Sequence, residues 1–113
     1  MEAKQLYEIV KNVPREAWPT HLQMSDRLSE RGTWTIHEEE WYITTNHAEN
    51  AFVGSMLAWL APYGVEIRRR TQQDGSTFYV VVPSGVWDDR IENPQLVAAL
   101  AIAVQCVMRA KQD

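Results

Sequence analysis

The chain has 113 residues, 45% of them hydrophobic and 23% charged, with a net charge of −4. That length suits one domain with a sizeable core, so residues 1–113 are read as a single domain, and no low-complexity tract points to disorder. The acidic balance argues against broad nucleic-acid binding, which relies on Lys and Arg neutralising phosphates.

The opening segment, MEAKQLYEIVKNVPREAW, alternates charges where a secretory signal needs a basic stretch followed by an apolar run. No export signal is expected. The longest apolar stretch, Leu96 to Val104, is about half of the roughly 20 residues that cross a bilayer. A buried helix is the better reading, so no membrane association is expected. Cys106 is the only cysteine, which excludes an internal disulfide and fits a reducing cytoplasm. Its expected place is the core, as a small hydrophobe.

In chain order, Leu6, Ile9, Val10 and Val13 recur at helical spacing and predict a first helix over Glu2 to Asn12, ended by Pro14. A second helix is predicted from Thr20 to about Arg31, with Leu22 and Leu28 as apolar anchors and Gly32 as its C-terminal cap. From Thr33 the apolar period becomes two. Two short strands follow, carrying Trp34 and Ile36, then Trp41 and Ile43, joined near Glu38 to Glu40.

Asn46 stands three residues before Glu49, a capping-box spacing that predicts a helix start. Its core stripe is Phe52, Met56, Trp59 and Leu60, and it stops around Pro62 to Gly64. VEIRRRT, the turn QQDG and STFYVVVP then read as a hairpin, with Phe78 to Val82 dense enough in β-formers to be a central strand. SGVWDDRIEN reads as a loop. Asn93 and Pro94 then suit the N-cap and first position of a last helix that is apolar on nearly all sides until Arg109.

The fold class is therefore α+β, in the order α-ββ-α-ββ-α, a repeated pattern without residue identity between its copies. Four such strands most simply form a single, mainly antiparallel sheet with helices packed on it.

The second half resembles the phage ABA sandwich domain family. The residues that carry this are Ala51 to Trp59, Tyr63-Gly64-Val65, Phe78 to Val82, and Asn93-Pro94 through the Ala-rich run Leu96 to Ala110. The resemblance covers roughly 60 residues by order of elements. It implies a small α/β sandwich encoded by a phage or prophage, with no assigned activity and no catalytic residues to carry over.

IHEEEWYITTNH holds the candidate metal ligands: His37, Glu39 and His47, with Glu38 and Glu40 beside them. The helical zinc-protease pattern needs two histidines four apart, whereas these lie ten apart across a strand. A solvated turn with an exposed strand end is the preferred reading, and no metal is assigned.

Arg68, Arg69 and Arg70 form a local cation cluster, in which Arg68 and Arg70 share one strand face. That face could bind phosphate or an acidic partner, or simply be solvated. Five tryptophans are many for this length. Trp34, Trp41 and Trp59 suit packing, whereas Trp18 and Trp87 sit in loops and are interface candidates as well as lids over a small core.

Cys106 within an apolar helix is a poor nucleophile, and His21 has no neighbouring partner in sequence. No phosphate loop, nucleophile elbow, paired-cysteine site or nucleotide fingerprint is present, so no cofactor is expected. The favoured reading is a non-enzymatic binding or accessory module that docks a protein partner or forms a homo-oligomer, with Trp18, Trp87, Arg68 and Arg70 as interface candidates. The alternatives are a metal binder or metal-dependent enzyme using residues 37–47, and a nucleic-acid-binding module using Arg68 and Arg70 with Tyr79 for stacking.

Overall fold

The structure, a computed structural model, describes residues 2–22, 27–28, 33–36, 39–42, 45–83 and 90–112. Among these residues, three helices and six strands follow one another as α1 (Ala3–Val10), β1 (Arg27–Leu28), β2 (Thr33–Ile36), β3 (Glu39–Tyr42), α2 (Thr45–Leu60), β4 (Glu66–Thr71), β5 (Thr77–Val82), β6 (Ile91–Asn93) and α3 (Leu96–Gln112). The α+β class stands, but the single four-stranded sheet does not. The strands form two antiparallel three-stranded sheets, ordered β1-β2-β3 and β4-β5-β6.

α1 starts where the Gln5 side chain accepts the Glu2 N–H at 3.0 Å, satisfying one of the donors a helix leaves open at its N-terminus. It buries Leu6 and Val10, with Ile9 packed alongside. Pro14 ends this helical run and leads into the 3-10 turn Arg15–Ala17, which buries Ala17. The helix predicted from Thr20 to Arg31 is replaced by a 3-10 turn, Thr20–Leu22, and by β1. Leu22 is buried as expected, but Arg27 and Leu28 pair with Thr35 and Trp34. With only two strongly apolar anchors, local helix propensity yields to sheet pairing.

α2 starts at Thr45, so Asn46 lies inside the helix and is not its cap. Ala48, Phe52, Met56 and Leu60 make a fully buried stripe at a spacing of four, with Trp59 packed at its margin. A 3-10 turn, Ala61–Tyr63, follows and closes on Gly64 at φ +70°, a left-handed conformation that glycine adopts without a Cβ penalty.

β4 and β5 pair from Glu66↔Val82 to Thr71↔Thr77 around a tight turn. Gly75 donates to the Gln72 carbonyl at 3.0 Å with φ +87°, and Gln72 donates to Ser76 at 2.8 Å. Gly75 of the Asp74-Gly75 pair thus occupies the position where positive φ is needed. The central placement of β5 is as predicted, but its second neighbour comes from the stretch read as loop, because Ile91 to Asn93 pair with Val81 to Tyr79. Three residues are too few for alternation to announce a strand.

Ile67, Val81 and Ile91 lie directly opposite one another on the three strands and face the helices. α3 packs on β5 and β6, with α1 and α2 packed on it in turn. That central position explains its apolar circumference: Val97, Ala99, Leu100, Ala101, Ala103, Val104 and Val107 are all buried. Each fully buried Val or Leu contributes about 1.5–3 kcal/mol of transfer free energy, so α3 is the main hydrophobic element. The helix begins at Leu96, later than the predicted Pro94, and the Asn93 side chain accepts the Gln95 N–H at 2.9 Å just ahead of it. Cys106 is only partly buried and is not a member of the core cluster, which corrects its expected place.

Candidate functional site

β4 is an outer strand, hydrogen-bonded to β5 alone among the described residues. Its six residues are exposed except Ile67, which anchors it to the core. Ile67 and Arg69 share the helix-facing side by strand alternation, while Glu66, Arg68 and Arg70 share the other. On that outer side, the Nε and Nη2 of Arg68 both lie 2.6 Å from Glu66 Oε1. Both side chains are about half exposed, 49% and 48%, so this ion pair contributes only about 0.2–1 kcal/mol.

β6 repeats the device. Arg90 Nε lies 3.1 Å from Glu92 Oε1. Between these two charged flanks, Val80 and Val82 of β5 are only 3% and 1% exposed, yet they belong to no part of the helix-side cluster. The outer face therefore has an apolar centre with ionic margins. Arg69 and Arg70 stand apart: among the described residues, the ion pairs are Lys11–Glu8, Arg68–Glu66 and Arg90–Glu92, and neither arginine joins one.

Two clefts flank the start of α3 and share Pro94 and Gln95. One, of about 570 Å³, runs between α1 and α3 along Lys4, Glu8, Ile9 and Ala98. The other, of about 480 Å³, opens between α2 and β5 along Glu49, Asn50, Val53 and Tyr79. Tyr79 lines this second cleft and lies directly opposite Arg69 in the hairpin, so the two residues share one side of the sheet. Neither cleft was legible in the sequence, because each is assembled from elements distant in the chain.

Of the other predicted site residues, Glu39 lies on β3 and His47 on α2, while Trp18 follows the 3-10 turn Arg15–Ala17. Trp18 is partly buried, packs edge-on to Phe52 at 5.6 Å, and donates its Nε1–H to the Val13 carbonyl at 3.0 Å. Trp87 lies outside the described residues. His37 and Glu38 also lie outside them, whereas Glu39 and Glu40 belong to β3, opposite Ile36 and Thr35, rather than to the predicted turn. His47 is exposed in the first turn of α2. Among the described residues, no group of three or more His, Cys, Asp or Glu side chains could hold a metal ion.

Two titratable groups are tied to local structure. Asp74 accepts the Ser76 hydroxyl at 2.6 Å and its N–H at 2.9 Å, and these bonds hold its carboxyl below the ordinary aspartate value. Lys111 donates to the Tyr63 hydroxyl at 2.6 Å and lies 5.7 Å from the Trp59 ring centroid. The bond to Tyr63 raises its ammonium above the ordinary lysine value. Among the described residues, no helix is long and apolar enough to cross a membrane. Comparison with models of known families, with characterised proteins and with solved structures finds no match.

Proposed function

We propose that this chain is a non-enzymatic binding or accessory module that acts through a protein contact surface, docking a partner or assembling with copies of itself. The observation that carries this reading is the outer edge of β4, a six-residue strand with a single hydrogen-bonded neighbour among the described residues. Such an edge presents main-chain donors and acceptors to an added strand, and side chains along it select the partner. Arg69 and Arg70 repel basic strands and favour acidic ones.

The resemblance to the phage ABA sandwich domain supports a phage- or prophage-encoded protein, and a single cysteine is compatible with a reducing cytoplasm. Metal and nucleic-acid readings have less support. Glu39 lies on β3 and His47 on α2, while Arg68 is bonded to Glu66 in a chain of net charge −4.

The test combines light scattering on a size-exclusion column with affinity capture from a bacterial extract, using the wild-type chain and the Arg69→Glu/Arg70→Glu double variant. Self-assembly or capture that the double variant loses is the expected result. A wild-type monomer that captures nothing removes the proposal.

A further inference from the structure

We propose that the partner of the β4 edge is β3 of a second copy of this chain, added as an antiparallel strand. The inference rests on the contact-surface reading and names its occupant. Each sheet has one short outer strand, β1 with two residues or β6 with three, and one longer one, β3 with four or β4 with six. Among the described residues, β3 pairs with β2 alone and β4 with β5 alone.

The two longer edges carry opposite charge. β3 reads Glu39-Glu40-Trp41-Tyr42 and β4 reads Glu66-Ile67-Arg68-Arg69-Arg70-Thr71. Charged outer strands keep sheets from joining edge to edge, and three consecutive arginines oppose pairing of β4 with another β4. The same arginines favour an acidic strand. In the antiparallel register that sets Glu39 opposite Arg70, Glu40 falls opposite Arg69 and Trp41 opposite Arg68. Two opposite-charge pairs, Glu39 with Arg70 and Glu40 with Arg69, then coincide on neighbouring positions.

Both partners of the match lie on one chain, so two copies can exchange edges reciprocally and close a dimer, or join head to tail and continue. Main-chain hydrogen bonds supply the affinity in either case, and the charges choose the strand and its register.

The experiment uses the full chain, its solution mass followed by light scattering from about 1 µM to 1 mM, the range in which a single added strand is expected to associate. The Arg69→Glu/Arg70→Glu variant has two acidic edges, and the Glu39→Lys/Glu40→Lys variant has two basic ones. Each alone is expected to associate on the order of tenfold more weakly or worse, since like charges now stand opposite each other. Mixing the two variants restores acid against base at both junctions and is expected to recover assembly, as is the chain carrying all four changes.

Far-UV circular dichroism shows that each variant is folded, and Arg69→Gln/Arg70→Gln with Glu39→Gln/Glu40→Gln replaces any pair that is not. Assembly that neither reversal weakens overturns the edge pairing while leaving a contact surface elsewhere. A wild-type chain that stays monomeric throughout overturns self-association, and capture of a foreign partner then decides the broader reading.

Discussion

Trp18 has the surroundings of a packing residue. Its ring meets Phe52 edge-on at 5.6 Å, and its N–H is spent on the Val13 carbonyl. Trp18→Ala removes both, and a loss of about 3 kcal/mol in denaturant unfolding is expected. Trp18→Phe keeps a ring but leaves that carbonyl without its donor, with an expected loss of about 1 kcal/mol. A Trp18→Ala variant that keeps wild-type stability but loses assembly would place the residue at an interface instead.

Asp74 lends itself to a pH test at the same scale. Its carboxyl is held below its ordinary value, so the folded state favours the charged form. The corresponding stability is present above the ordinary carboxylate range and disappears as pH falls through the lowered value. Asp74→Ala is therefore expected to be less stable than wild type at neutral pH, with the gap closing in strong acid. Urea midpoints at the two pH values measure it, and a gap independent of pH would show that the charge is not involved.

Among the elements, the β4–β5 hairpin depends on one backbone conformation. Gly75 sits at φ +87°, and an added Cβ has open space around it, so any cost of Gly75→Ala comes from the backbone alone. A loss of about 1–2 kcal/mol is expected. α3 obeys the opposite constraint, because Ala99 and Ala103 are fully buried where the helix is crowded by its neighbours. Ala103→Leu is expected to cost about 1–3 kcal/mol by overpacking, read as a lower denaturant midpoint. Tyr63 and Lys111 fasten the last turns of α3 to the 3-10 turn after α2, joining elements 48 residues apart.

At the scale of the molecule, the helices and the β4-β5-β6 sheet share one core, and the sheet's other face holds Val80 and Val82 between ionic margins. Amide hydrogen exchange should then be slowest in β5, which is central and buried towards its end. The outward amides of β4 are expected to exchange quickly in the dilute monomer and to slow on assembly. Protection appearing instead at the α1–α3 cleft would move the contact surface there. Added salt should weaken assembly, since dissolved ions screen attraction between solvent-exposed charges, with a Debye length of roughly 8 Å at physiological ionic strength.

What the sequence determined by itself was local. Periodicity placed the α2 stripe of Phe52, Met56 and Leu60, β-propensity marked β5 as central, and Asp74-Gly75 marked its turn, because each signal lies within one element. Arg68 to Arg70 were also visible as a cluster, yet not as the edge of a sheet. Edge and centre are defined by which strand lies beside which, and that is settled by pairing between segments far apart. The same reason hid β6, whose three residues become a strand only against β5, and let Arg27 and Leu28 pair with β2 where a helix was predicted. The clefts beside Asn93 to Gln95 lie further still from sequence, since three helices and a sheet must dock before their walls exist.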